Sequence, residues 1–171
     1  LRAPERVASL VLMDTSASRL AWIQRPLVDT AARIGREAGM AKLAEILSLR
    51  AADDVERSEP DRRVEQEWGP KRFWARRYGR IGAMDPEAYG RLGIAMAEAE
   101  DLGDRLPEIA CPTLVLCGSE DDPFLAPSRT LAGEIPDARL VLLDGAAHQP
   151  QNENPAAWLE AVTSHLVRAR T

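Results

Sequence analysis

The chain has 171 residues, 45% of them hydrophobic and 29% charged, with a formal net charge of -5. That length can bury one core plus a small appended layer, and the acidic balance argues against the clustered Lys and Arg of a nucleic-acid surface. No apolar run approaches the roughly 18 residues needed to span a bilayer, so neither nucleic acid nor membrane is expected as a partner.

The first element in chain order is Val7 to Met13, a near-continuous apolar run with branched residues, closed by Asp14-Thr15-Ser16. A run without polar alternation predicts a strand over 7–13 that is buried on both faces, as in a parallel sheet. From about 18 to 105 the character changes to Ala, Arg and Glu with apolar residues at helical spacing. Leu27, Ala31, Ile34 and Ala38 predict one stripe, and Leu43, Ile46 and Leu47 another. Pro60, Pro70 and Pro86 mark boundaries rather than helix interiors, and Asp85-Pro86-Glu87 reads as an N-cap, a first-turn proline and an acidic first turn. This region predicts four or five short helices. The basic runs Arg62-Arg63, Lys71-Arg72 and Arg76-Arg77 alternate with Glu and Asp there, as on solvated helix faces. Trp22, Trp68, Trp74, Phe73, Tyr78 and Tyr89 also fall there, either as helix-packing core or as the lining of an apolar pocket.

Strand and helix alternation returns near 106. Pro112 precedes an apolar strand over 113–117 that ends at Gly118; a helix over 126–135 stops before Pro136, and the next strand covers 139–143. Asn154 caps a last helix with Pro155 at its first position and an apolar stripe of Leu159, Val162 and Leu166. Such a unit implies a parallel sheet, so the fold class is α/β. The cysteines, Cys111 and Cys117, stand at either end of a strand, about 20 Å apart at ~3.3 Å per residue. That is beyond disulfide reach, and reduced thiols point to a cytoplasmic protein.

In open parallel sheets the working residues sit just past the carboxyl ends of strands. Gly118-Ser119-Glu120-Asp121-Asp122-Pro123 follows one strand and Asp144-Gly145-Ala146-Ala147-His148-Gln149-Pro150 the next. With the strands adjacent, an acid of the first loop reaches the imidazole of the second, fixing its tautomer and stabilising it when the other nitrogen takes a proton. Taken singly, such an Asp is more often a turn former or helix cap, and His148 a surface loop residue. His165 lies inside the last helix and receives no role. The two histidines and two cysteines make no metal-ligand set, and no cofactor is implied.

The run from Pro112 to Asp121 resembles the acid-bearing strand and turn of α/β-hydrolases. Gly145-Ala146-Ala147-His148 and Glu153-Asn154-Pro155 resemble that family's histidine loop and the start of its final helix. Pro4-Glu5-Arg6-Val7 resembles the segment after its nucleophile helix, and the acid precedes the histidine as in the family. The resemblance covers about 1–16 and 106–171, whereas the middle region is similar to the family's variable helical cap in position and character only. It implies the C-terminal part of an α/β-hydrolase sheet, three parallel strands with helices, plus a helical cap. The divisions are a core strand in 1–17, a cap in 18–105 and a C-terminal core in 106–171. It also implies Asp121 as the triad acid, with Asp122 as competitor, and His148 as general base. Phe124, Leu125 and Trp22 are the implied substrate contacts.

The family's Gly-x-Ser-x-Gly nucleophile turn does not occur in this sequence, nor does its upstream oxyanion loop; Ser16 and Ser119 lack the flanking glycines. The chain opens at Leu1-Arg2-Ala3-Pro4, as a segment of a longer polypeptide does. The resemblance therefore implies a fragment, inactive by itself, of a serine hydrolase for a small, largely apolar ester, lactone or related acyl compound. The missing N-terminal part, or a complementary chain, becomes a partner. Alternatives are a truncated or split protein that binds without catalysis, or a relative with an Asp nucleophile such as a dehalogenase. The first strand, lacking its neighbour on one side, predicts an open sheet edge and poor stability of the isolated chain.

Overall fold

A computed structural model describes residues 1–52 and 57–169 of the chain. The chain divides into two compact units, Leu1–Ser18 with Asp101–Thr171 and, separately, Arg19–Glu100.

The first unit is built on a three-stranded parallel sheet in the order β1-β2-β3, comprising Leu10–Met13, Thr113–Gly118 and Ala138–Leu143. All six residues of β2 are buried, because it is the middle strand and both its faces are covered. Leu114 and Leu116 point to one face, where they pack with Leu143, Ala146 and Ala161 and with Trp158 and Val162 of α8 (Pro155–Arg168). Val115 points to the other, against Leu106 and against Leu131 of α6 (Asp122–Glu134), with Ile135 just beyond that helix. The period of two in a continuous apolar run is thus explained by a helix on each side of the sheet. Burying a leucine such as Leu114 stabilises by about 2 kcal/mol, so this strand anchors the unit.

Two element starts differ from the sequence expectation, and one short helix is added to it. The first strand begins at Leu10, not Val7, because Pro4 starts a 3₁₀ turn over Pro4–Arg6 whose carbonyl takes the Val7 N–H. Thr113, the register partner of Leu10, begins β2 as expected. The helix α6 begins at Asp122, four residues earlier than its apolar pattern, since Pro123 suits a first turn and Pro127 costs a single backbone bond there. A short helix, α7 (Pro150–Glu153), occupies what reads as loop after His148. The cap of α8 is as expected, with Ala157 N–H donating to Asn154 Oδ1 at 3.3 Å. Both cysteines are free. Among the described residues, β1 pairs only with β2, and Val11 on it is 38% exposed.

The second unit contains α1 (Arg25–Ala38), α2 (Met40–Ala52), α3 (Glu59–Trp68), α4 (Pro70–Gly82) and α5 (Pro86–Ala97). Asp85 caps α5 through Ala88 N–H at 2.8 Å, as expected. The stripe on α1 is displaced by one residue: Leu27 is 60% exposed, and the buried positions are Ala32 and Gly35, with Val28 half-buried. The reason is close packing against α5. A Cβ at Gly93 would stand 2.6 Å from Val28 Cγ1, and one at Gly90 3.1 Å from Ala32 Cβ. Small residues make this face, so hydrophobic periodicity misses it.

The aromatic residues divide. Phe73 is buried and Trp74 stacks on Tyr78 at 5.8 Å, whereas Trp22 is 52% exposed. Arg57 lies over the Phe73 and Trp74 rings and bonds Asp61 at 2.8 Å and Glu65 at 2.7 Å. Arg77 joins the same cluster through Asp61, so one member of the basic runs is an internal ion-pair partner rather than a solvated charge. No helix among the described residues is long and apolar enough to cross a membrane.

Candidate active site

The carboxyl ends of the three parallel strands lie side by side, with Met13 opposite Leu116, two residues before the end of β2, and Gly118 opposite Leu143. Three loops therefore leave the sheet together. The β2 and β3 loops are bonded to each other through Ser119 N–H to Leu143 O (2.9 Å), Glu120 N–H to Ala146 O (2.8 Å) and Gly145 N–H to Ser119 Oγ (3.1 Å). Gly118 permits this approach: a Cβ there would lie 2.3 Å from Ala147 O and 2.4 Å from Ala146 O, both backbone atoms that cannot swing aside. Glu153 of α7 fastens the loop from below, accepting from Ala147 N–H at 2.6 Å and Gln149 N–H at 3.2 Å.

Into this frame the fold brings Asp121 and His148. His148 Nδ1 lies 2.9 Å from Asp121 Oδ2. Asp121 occupies the N-cap position of α6, yet its side chain makes no cap bond; its backbone carbonyl accepts instead from Phe124 and Leu125 N–H. The carboxylate is left for the imidazole. Phe124 stacks on the ring with centroids 4.8 Å apart. Asp121 is buried, while the His148 side chain is 59% exposed and its Nε2 has no hydrogen-bond partner among the described residues. The bond to Asp121 raises the His148 pKa above the ordinary imidazole value, against the opposing effect of desolvation. Such a pair holds one tautomer, presents Nε2 as a base and stabilises the cation formed when that base is protonated.

Asp14, which reads in the sequence only as the end of a strand, completes the cluster. It is the one non-glycine residue among those described with positive φ, at 42°, and its Oδ1 accepts from Gly118 N–H at 3.2 Å. Burial pushes its carboxyl up to about 7, and the neighbouring charge of Asp121 adds to the rise. One oxygen of Asp14, one of Asp121 and a ring nitrogen of His148 lie within 4.8 Å of one another. A cation bound there would compete for the Nδ1 that Asp121 holds, and the remaining Asp14 oxygen is bonded to Gly118, so the donor set favours proton sharing over metal ligation. Asp14 was findable by the same strand-end rule that singles out Asp121. The anchoring Glu153 was not, because its role needs the short helix α7.

The other candidate residues sort as follows. Leu125 is half-buried at the start of α6 and Asp122 is exposed, with no bond to His148. Trp22 belongs to the helical unit. Ser119 and Ser16 serve turns, Ser16 Oγ accepting Ser18 N–H at 3.0 Å. Cys117 is buried, and desolvation pushes its thiol up to about 11, so it is no thiolate nucleophile.

The chain matches no protein-family profile and no curated protein sequence. Solved structures do resemble it. A thermophilic esterase from Thermogutta terrifontis is 27% identical with a TM-score of 0.77, over 99% of this chain and 59% of the esterase. The enol-lactonase from Burkholderia xenovorans LB400 is 27% identical with a TM-score of 0.72, over 97% and 58% respectively. A hydrolase from Pseudomonas aeruginosa PA01 is 29% identical with a TM-score of 0.66, over 97% and 58%. The chain thus spans a little under three-fifths of the length of these proteins. Its fold is that of the α/β-hydrolases, and it corresponds to the C-terminal portion of that family.

Proposed function

We propose that the chain is the acid–base part of a serine hydrolase acting on a small, largely apolar ester, lactone or related acyl compound. The observation that carries this reading is the 2.9 Å bond between buried Asp121 and an imidazole whose other nitrogen is unengaged. The similarity to an esterase and an enol-lactonase supports the ester-type class.

In this reaction a serine Oγ supplied by polypeptide outside these residues attacks the acyl carbon, and His148 Nε2 takes its proton. Asp121 holds the imidazolium. His148 then returns the proton to the departing alkoxide, and the acyl-enzyme is opened by water through the same proton path. Oxyanion donors are likewise supplied from outside, so residues 1–171 alone are inactive. Phe124, against the imidazole, and Leu125 form the apolar floor for the acyl or alcohol group. The helical unit, which carries the exposed Trp22, is the counterpart of the family's variable cap. Free, widely separated cysteines accord with a cytoplasmic setting.

The edge of β1 that pairs with no strand among the described residues favours one second reading, in which the chain binds a complementary polypeptide and does no catalysis by itself. Both readings are tested on the polypeptide containing this chain and its N-terminal complement, with p-nitrophenyl butyrate as substrate. His148→Ala and Asp121→Asn are each expected to lower kcat by about 10³–10⁴-fold, and a fluorophosphonate to label the assembled protein but not residues 1–171. Full activity in His148→Ala would sink the serine-hydrolase reading. Labelling blocked by an Asp in place of the nucleophilic serine, with turnover of a haloalkane, would move the protein to the dehalogenase alternative.

A further inference from the structure

Asp14 has an oxygen that the acid–base pair does not explain. Its Oδ2 is buried without a hydrogen-bond partner among the described residues, although Oδ1 is held by the Gly118 N–H. The side chain is fixed, since Asp14 N–H continues the ladder to Leu116 O at 3.1 Å and the residue occupies the left-handed region that Asp tolerates better than most. A buried carboxylate oxygen without a donor costs far more than a satisfied one. The group next to it is another carboxyl, Asp121, and two carboxyl oxygens attract only when a proton lies between them.

We propose that Asp14 is a positioning residue that shares a proton with Asp121 and so fixes the carboxylate that orients His148. This rests on the reading of Asp121 and His148 as the acid–base pair. In the neutral form, Asp14 accepts from Gly118 with one oxygen and donates from the other, which satisfies both. Asp121 then accepts from two sides, the Asp14 hydroxyl and His148 Nδ1–H, and its carboxylate cannot rotate away from the imidazole. The groups facing Asp14 are Asp121 from the β2 loop, His148 from the β3 loop and the Cys117 thiol from β2, with Glu153 of α7 acting on His148. The acids repel a second negative charge at Asp14, whereas His148 as a cation favours it. Burial is the larger influence and keeps the proton on up to about pH 7.

The sign of the pH effect follows. The unfolded carboxyl loses its proton near 3.8 and the folded one near 7, so the folded state binds the extra proton between those values. Stability is highest at the acid end of the window and falls as pH rises through it. Above neutrality two anions face His148, and the bond that held Asp121 in place is gone.

The test uses the polypeptide that contains this chain with its sheet completed, labelled with ¹³C at the aspartate carboxyls. A carboxyl carbon titrating near neutrality is expected in the wild type and absent in Asp14→Asn. Asparagine keeps both bonds, Oδ1 accepting from Gly118 and Nδ2 donating to Asp121, but cannot titrate. Asp14→Asn should therefore retain kcat/KM within about threefold, and Asp14→Leu should lose on the order of 10²-fold, the cost of a ~1 Å misplacement. If Asp14→Asn fails to fold, the wild-type spectrum decides by itself. Every aspartate carbon finishing its titration below about pH 5.5, close to the ordinary range, overturns the proposal. So does an Asp14→Asn enzyme as impaired as Asp14→Leu. Loss of the acid–base reading would instead show as activity surviving in His148→Ala, with the Asp14 titration unchanged.

Discussion

The sheet unit and the helical unit solve the same problem of burying a core with different means. In the first, a middle strand with no exposed residue is clamped between α6 and α8, and the loops at its carboxyl end are fastened by backbone bonds to one another. In the second, small residues bring α1 against α5, and a half-buried cluster of Arg57, Asp61, Glu65 and Arg77 ties α3 to α4. The lesson is about tolerance. The chemistry-bearing loops depend on atoms that cannot move, whereas the helices depend on side chains that can re-pair.

The largest expected effect therefore lies in the sheet unit. Gly118→Ala drives a methyl group into the Ala146 and Ala147 carbonyls and should separate the two loops. The expected cost is about 3 kcal/mol of stability, the upper range for overpacking. Thermal melting measures the loss, and disappearance of the low-field Nδ1 proton of His148 reports the broken pair. Unchanged melting with the pair intact would mean that the loops are as adaptable as the helices, and the contrast would fall.

Arg57→Ala tests the other side of it. The substitution strips Asp61 and Glu65 of a partner and uncovers the Phe73 and Trp74 rings. A loss of about 2–3 kcal/mol in urea denaturation is expected, smaller than the ~3–5 of a fully buried pair because Arg77 still holds Asp61. A loss of ~0.5 kcal/mol or less, the worth of an exposed ion pair, would show that apolar packing alone sustains the helices. At the small end, Asp85→Ala removes the cap of α5 and should cost about 1 kcal/mol. Its effect should appear in amide exchange of α5 and leave the His148 resonance where it was.

How much could be read beforehand depended on the kind of signal. Residues 113–117 announce a two-sided buried strand by composition alone, and Asp85-Pro86 and Asn154-Pro155 announce helix starts through local bonds within four residues. The face of α1 was misplaced because Ala32 and Gly35 carry little hydrophobic signal, and their burial exists only once Gly90 and Gly93 are opposite. The strand at 7–13 was too long because pairing, not apolar character, sets its start at Leu10. Asp121 and His148 were legible as strand-end residues in adjacent loops. Asp14 meets the same rule, but nothing local shows that β1 ends beside Leu116 of β2.

By itself, the sequence determined the class of fold, the order of its elements and which two loops carry Asp121 and His148, because periodicity, capping and turn chemistry act over a few residues. Only tertiary structure decided that Asp121 turns from capping a helix to holding an imidazole, that Gly118 must lack a side chain, and that burial pushes the Asp14 carboxyl up to about 7. Those outcomes depend on strand register and on exclusion of water, and neither exists until segments a hundred residues apart have met.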